Sequence, residues 1–305
     1  MTTDLNSFDQ IISSAKEKSK VKKPRAALVD PHLPEVFKAF SKAINDGLLE
    51  SVIIGDKADI EMAARDASFK LDDIKIIDNG DLPSIVVAAN MANKGELDLI
   101  IKGTCHSDIF VQDLFSAEAS FIKKGKLACH IALIKPAQYD KVIILSDAGV
   151  IIQPNLKQKI AMINNIIEVG HKVGIIEPRI AVLAAVEVVY PQMPVTSDGA
   201  ILGKMSERNQ FKGGYVDGPL SFDCAIDPEA AKSKGITKSE VAGHANAMLA
   251  PNIETAHGIY KAMALFGNAQ VGGVIYGGNV PVALPSRSDS EESIYNSIVM
   301  GVLVG

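Results

Sequence analysis

Short apolar runs alternate along the chain with longer stretches in which apolar residues recur every three or four positions. The runs predict strands at 25–29, 51–54, 74–77, 99–102, 131–135, 141–146, 172–176, 213–216, 247–250, 272–276 and 282–284. The periodic stretches predict helices at 35–46, 56–67, 83–93, 156–169, 180–189, 197–205, 254–266 and 291–304. Such alternation is the signature of an α/β protein whose sheet is largely parallel. Eleven strands are many for one sheet, so two sheets, each flanked by helices, accommodate them better. The turn from Pro136 to Asp140, between two adjacent strand-like runs, is the clearest internal boundary. Ligands of α/β folds sit beyond the carboxyl ends of strands, so the polar residues just after each run are the ones to inspect.

The most informative of these strand ends is Leu284-Pro-Ser-Arg-Ser-Asp-Ser290, where an apolar run passes through a Ser-Arg pair toward a helix. Backbone N–H groups and the dipole at a helix start attract an anion, and a guanidinium adds a planar two-pronged donor. Of 31 basic residues only Arg25, Arg65, Arg179, Arg208 and Arg287 are arginine, so general surface charge is carried by lysine and Arg287 stands out. A capped helix accounts for the same spacing, with Ser288 or Asp289 as cap and Glu291 or Glu292 three residues on.

Other strand ends carry weaker signals. Gly103-Thr-Cys-His-Ser-Asp108 follows the run ending at Lys102; Lys102, Gly103 and Ser107 could meet an anion there, or Ser107 or Asp108 could cap a helix. His106, Ser107 and Asp108 do not make a hydrolytic triad, because sequence neighbours rarely aim their side chains into one relay. Asp147 could hold a ligand hydroxyl or pin backbone donors. Asp217 and Asp223 could bind a metal, do acid–base work or cap the following helix. Gly277-Gly278 permits close backbone approach to a ligand, and equally a tight turn. His244 and His257 lack the spacing of a zinc site, and neither a dinucleotide fingerprint nor a phosphate-binding Walker sequence is present.

Composition narrows the partners. A net charge of −5 with no basic block leaves no footprint for nucleic acid or an anionic membrane surface. Three scattered cysteines argue against a disulfide framework and fit a reducing cytoplasm. The polar, lysine-rich start lacks the apolar region of a signal peptide, and no run approaches a membrane span.

Taken together, Val216-Asp-Gly-Pro-Leu220, Val241-Ala-Gly243, the helix start from Pro251 to Ala256, the segment 269–278 and Leu284-Pro-Ser-Arg-Ser-Asp-Ser290 resemble the phosphate acetyltransferase and phosphate butyryltransferase family. The resemblance spans nearly the whole chain and is strongest from about Asp140 to Ser290. It implies reversible transfer of a short acyl group from CoA to inorganic phosphate, giving an acyl phosphate and free CoA, with no metal and no permanently bound cofactor. It also implies a homodimer of subunits with two α/β/α domains and a cleft between them, similar to the isocitrate and isopropylmalate dehydrogenase fold. The last strand and helix would return to the first domain, giving domains of 1–138 with 276–305 and 139–275. Length and the Asp-Gly-Pro-Leu loop look more like the butyryl branch; an acetyl-specific enzyme, or a catalytically impaired CoA- or anion-binding relative, is the alternative. A dehydrogenase of the same fold would need a carboxylate cluster for metal and a nicotinamide site, and neither is evident.

By the same resemblance Ser286 and Arg287 are catalytic, Arg287 orienting phosphate and Ser286 donating to phosphate or to the developing oxyanion. Lys102, Gly103, Ser107, Gly277, Gly278, Ser288 and Ser290 are the expected substrate-binding residues. The chain departs from the pattern at Ser293, where the acetyl branch has a carboxylate thought to take the thiol proton. Asp289 is the nearest replacement, ahead of Glu291 and Glu292. It departs again at His244 and Asn252, where butyryl-type sequences commonly have Asp.

Overall fold

The computed structural model describes residues 5–72, 74–122 and 124–305. The chain divides into two compact units, one of residues Phe8–Ala128 with Gln270–Gly305, the other of Cys129–Ala269 with residues 5–7. Among the described residues there are eleven strands and eleven helices.

The first unit contains β1 (Arg25–Val29), β2 (Glu50–Ile54), β3 (Lys75–Ile77), β4 (Leu99–Lys102), β10 (Gln270–Tyr276) and β11 (Val282–Ala283), in the order β3-β2-β1-β4-β11-β10. All neighbours in it are parallel except the β10–β11 hairpin. Its helices are α1 (Phe8–Val21), α2 (Pro34–Asn45), α3 (Lys57–Asp66), α4 (Ser84–Asn93), α5 (Ser107–Leu114) and α11 (Glu291–Val304). Helix α11 is apolar nearly all round and is buried from Ile294 to Val304, packed by β10, α2 and α1. Gly301 makes this fit possible, since a Cβ there would come within 2.5 Å of Leu99 Cδ1. The fully buried Tyr295 donates to Asp46 at 2.5 Å, and Asp46 also receives Lys16 at 2.8 Å, so α1, α2 and α11 meet at one carboxylate.

The second unit contains β5 (Cys129–Lys135), β6 (Ile143–Ser146), β7 (Arg179–Leu183), β8 (Tyr215–Leu220) and β9 (Ala247–Leu249), in the order β5-β6-β9-β7-β8. Only β5–β6 is antiparallel. Strand β5 pairs with β6 across the turn from Pro136 to Asp140, which keeps it in this unit and puts the division at Cys129, upstream of that turn. The helices are α6 (Leu156–Lys172), α7 (Pro194–Glu207), α8 (Phe222–Ile226), α9 (Pro228–Ser233) and α10 (Ile253–Leu265).

One pair of sequence expectations is reversed. Residues 172–176 are not a strand but the end of α6 and a turn, with Gly174 at φ +89° and receiving Leu5 N at its carbonyl (3.2 Å). The strand is β7, in the stretch expected to be helical. It is an interior strand, between β9 and β8, and runs Arg-Ile-Ala-Val-Leu with its last four residues buried; since successive side chains point to opposite faces, both faces are covered and no alternation marks it. Helix α1 was not anticipated, and α5 and the short α8 and α9 were offered only as helices that Ser107 or Asp108, and Asp217 or Asp223, could cap. In α1 the buried Phe8, Ile11, Ala15 and Ser19 form one stripe diluted by charged residues.

The first unit's sheet is pinned at its lower edge by Arg25 and Asp98. The guanidinium reaches both carboxylate oxygens, at 2.9 and 3.1 Å, and the Arg25 backbone N–H adds a third bond at 3.0 Å. The Arg25 bonds hold the Asp98 carboxyl down at about 2. A depressed carboxyl stabilises the fold above its unfolded value near 4 and loses that contribution as pH falls toward 2. Asp98→Asn should therefore cost about 1 kcal/mol at pH 7, the guanidinium being partly exposed, and should flatten the stability profile between pH 4 and 2. Urea midpoints measured across that range check both expectations.

Candidate active site

Parallel pairing decides which loops meet in the first unit. Val29 is opposite Lys102 and Ala283 is opposite Ile101, so β1, β4 and β11 end on the same edge. The loops beginning at Asp30, Gly103 and Leu284 therefore converge. Gly103 N donates to Val29 O at 2.8 Å and Thr104 N to Asp30 O at 2.9 Å, and Thr104 Oγ1 accepts from His32 N at 2.8 Å. Gly103 has no room for a side chain: a Cβ would stand 2.3 Å from Val29 O and 2.4 Å from Asp30 O. Asp30, at φ +48°, accepts from Ser84 Oγ at 2.6 Å, while burial raises its carboxyl.

Above this edge Ser286 to Asp289 form a closed turn. Asp289 N donates to Ser286 O at 3.1 Å, and the Asp289 carboxylate accepts from Ser286 N at 2.9 Å. Ser288 Oγ lies 3.4 Å from Ser286 Oγ. Arg287 is exposed, with Nη1 at 3.0 and 3.2 Å from the two ring nitrogens of His106, so its guanidinium leans on the imidazole. A cavity of about 130 Å³ is lined by Gly103, Thr104, the 285–289 turn and the first turn of α2, including Glu35.

Lys102 lies beneath. It is fully buried, and the hydrogen bond of its ammonium among the described residues is a long one, 3.4 Å to Gly103 O. Burial lowers its pKa first, and the charge of Arg287 adds to this, opposed by Cys105 and Asp289. Burial also pushes the Cys105 thiol up to about 11, so it is not a ready nucleophile. Two cations thus stand at one strand-end corner, one enclosed and one reaching solvent.

Several expectations change in detail. The Ser-Arg pair does not run straight into the helix: α11 begins at Glu291, and its cap is Ser290, which accepts from Ser293 N at 3.2 Å, rather than Ser288 or Asp289. Ser293, at the position of the missing carboxylate, is tied to that cap, its Oγ 3.1 Å from Ser290 Oγ. Among the acidic residues after the pair, Asp289 alone lines the cavity; Glu292 is bonded to Gln270 at 2.6 Å and Glu291 lines a separate hollow beside Phe37. Ser107 is the first residue of α5 and Asp108 the second, while His106 faces Arg287, so the three make no relay. Gly277, at φ +100°, and Gly278 shape the β10–β11 turn, and a Cβ on Gly278 would lie 2.1 Å from the Phe121 ring. Backbone conformation calls for glycine at 277, and the Phe121 ring calls for it at 278.

In the second unit the carboxylates are occupied. Asp147 is buried and accepts from the backbone of His130, Gly149 and Val150 at 2.7–2.9 Å, pinning donors after β6. Asp217 accepts from Gly218 N and from Ser239 Oγ, whereas Asp223 belongs to a different group with Ser221, Glu187 and Lys234. Glu187, Asp223 and Cys224 are close enough to share a metal ion, but the Lys234 ammonium already sits 2.9 and 3.1 Å from the two carboxylates and supplies the positive charge. Asn252 caps α10, accepting from Thr255 N at 3.0 Å, a task that Asn performs as well as Asp.

Sequence reasoning overlooked the loop after β1, with Asp30 and His32, and the Glu35 turn of α2. The rule that ligands gather at strand ends would have found them, since β1 was correctly placed. It also overlooked the support of Arg287 by His106, for which no sequence signal exists across 181 positions.

Replacing Gly103 with Ala should cost at least about 2 kcal/mol, because backbone oxygens on two sides leave the new methyl nowhere to go. Thermal unfolding of the variant checks this, and an unchanged midpoint would mean that the strand-end loops are looser than described.

A model of the family described as phosphate acetyl/butaryl transferase matches residues 82–302. The phosphate butyryltransferase of Clostridium acetobutylicum is 36% identical over 301 residues, covering 98% of either chain. The phosphate acetyltransferase of Thermotoga maritima is 34% identical, covering 97% of this chain and 99% of its own. Among solved structures, a branched-chain phosphotransacylase from Enterococcus faecalis V583 superposes with a TM-score of 0.78 at 26% identity, covering 92% of this chain and 98% of its own. No described helix is long and apolar enough to cross a membrane. Matched by the family model over most of its length and by relatives from end to end, this chain belongs to the phosphate acetyl/butaryl transferase family.

Proposed function

We propose that the protein moves a short acyl group, butyryl or a related chain, between CoA and inorganic phosphate, and that the Ser286–Arg287 turn holds the phosphate. The observation that carries the assignment is that enclosed Lys102 and Arg287 feel each other's charge at a corner whose cavity is lined by Gly103, Thr104 and the 285–289 turn, with Leu33, Val36, Ile294 and the Glu35 carboxylate completing it. A phosphate dianion would give Lys102 the partner its burial demands and give Arg287 a two-pronged acceptor. Held there, a phosphate oxygen attacks the thioester carbonyl, a C–O bond forms, the C–S bond breaks, and CoA leaves as the thiolate. The site contributes position and charge: Arg287 orients the nucleophile, and Ser286 donates to phosphate or to the carbonyl oxygen as it gains charge. Asp289 holds Ser286 through its backbone, and in the reverse direction, when the CoA thiol attacks the acyl phosphate, it is the carboxylate of this turn that takes the thiol proton. Ser107, Ser288 and Ser290 are the further hydroxyls proposed for phosphate and CoA contact, and Gly277 and Gly278 complete the proposed set.

The butyryl assignment is supported by the Clostridium relative and by the Asp217-Gly-Pro-Leu220 segment. The isocitrate dehydrogenase-like arrangement belongs to the same proposal, supported by two helix-flanked units with the last strand and helix returning to the first. Work as a cytoplasmic homodimer is also proposed; three free cysteines are in keeping with a reducing compartment.

Phosphate-dependent release of CoA from acetyl-, propionyl- and butyryl-CoA tests the activity and ranks the chains. Release should be fastest with butyryl-CoA or a near neighbour, and no release from any of the three removes the proposal. Arg287→Ala should lower kcat/KM by about 10²–10³-fold, as loss of a preorganised electrostatic contact does. Arg287→Lys should recover part of this, since it keeps the charge without the fork. A loss under about tenfold in the Ala variant, or roughly 1.4 kcal/mol, takes Arg287 out of this role.

A further inference from the structure

The amino ends of three parallel strands of the second unit enclose a polar cavity of about 230 Å³. Ile144 of β6 and Ile180 of β7 both lie opposite Ala247 of β9, so the residues that open these strands share an edge. Lys141, Arg179 and Asn246 are brought together there, with Asp140, Glu177 and His244 on the same wall. Substrates of parallel sheets bind at the opposite, carboxyl edge, and the acyl transfer proposed above makes no use of this one.

Asn246, 8% exposed, fixes the wall. Its Oδ1 accepts from Arg179 N at 2.7 Å and its Nδ2 donates to Glu177 O at 3.1 Å, so the segment carrying both charged side chains is set before any ligand arrives. Arg179 Nη2 donates to the Glu177 carboxylate at 3.1 Å, which uses one of five guanidinium donors and leaves the others for a ligand. A strand-edge ion pair accounts for those two residues. It does not account for Lys141, which is half-buried, or for Asp140 beside it: among the described residues neither is in an ion pair, and both line the cavity.

An unpaired ammonium and an unpaired carboxylate on one wall match a ligand that carries both charges. A dianion such as phosphate does not match, because the Asp140 and Glu177 carboxylates face the same space as the two cations. The floor is apolar, formed by buried Val142 and Ile175. The volume gives room for about eight groups of water size at about 30 Å³ each, which is too little for a nucleotide or a peptide.

We infer that this cavity binds a free α-amino acid with a small aliphatic side chain. Lys141 and the unused Arg179 donors meet its carboxylate, Asp140 and Glu177 accept from its ammonium, and the side chain rests on Val142 and Ile175. His244 adds a ring nitrogen at the exposed rim.

Calorimetric titration with L-valine, isovalerate and isobutylamine tests this on the wild type, Lys141→Met and Asp140→Asn. Isovalerate is L-valine without its ammonium, and isobutylamine is L-valine without its carboxylate. The wild type should bind L-valine in the millimolar range or tighter, and each analogue at least tenfold more weakly. Both variants leave Asn246 and the Glu177–Arg179 pair in place, and each should weaken L-valine binding at least fivefold. The assignment is overturned if the wild type does not bind L-valine at millimolar concentration, or if either analogue binds within twofold of it. It is equally overturned if both folded variants bind L-valine within twofold of wild type. The analogues need no substitution, so the test holds even where a variant does not fold. Binding is read without turnover and stands or falls independently of the acyl transfer.

Discussion

The candidate phosphate site depends on a close backbone approach between two parallel strands. Gly103 leaves β4 against the carbonyls of Val29 and Asp30, and this contact sets the height at which three strand-end loops meet. Nothing larger than glycine fits there. Because β11 pairs with β4 on its other side, the same register delivers Pro285 and the Ser286 turn above Lys102. A shift of one residue in either pairing would turn Lys102 to the opposite face and separate the two cations.

Charge arrangement follows from that geometry. Lys102 is enclosed and its pKa is lowered by burial, while Arg287 reaches solvent but is steadied by His106. In a low-dielectric corner such charges act more strongly on an anion than they would in water, and they are already in place before it arrives. The helix start contributes less than its proximity suggests, because Ser290 takes up a first-turn donor and the turn from Ser286 to Asp289 is closed upon itself. The anion binding proposed for this strand end therefore rests chiefly on side-chain cations and hydroxyls.

Most of the framework could be read from the sequence because its signals are local. Strands β1 and β4 and helix α11 have the expected bounds, the strands being clean apolar runs and α11 a long apolar stretch opened by a good cap. The β7 stretch could not be read in this way: a strand covered on both faces has no period, and its apolar run passes equally well for a buried helix. At the site, Ser286 and Arg287 were visible as a rare arginine at a strand end. The partnership with His106, the capping role of Ser290 and the diversion of Glu292 to Gln270 depend on tertiary contacts, which no spacing encodes.

The central claim is that the Ser286–Arg287 turn and Lys102 hold inorganic phosphate. Arsenate has the shape and charge of phosphate and scatters X-rays anomalously, so its position can be read directly in crystals soaked with it in the absence of acyl-CoA. The account predicts an arsenic peak in the corner, its oxygens within hydrogen-bond distance of the Arg287 guanidinium and Ser286 Oγ. A well-occupied peak elsewhere, with none at this turn, would contradict it.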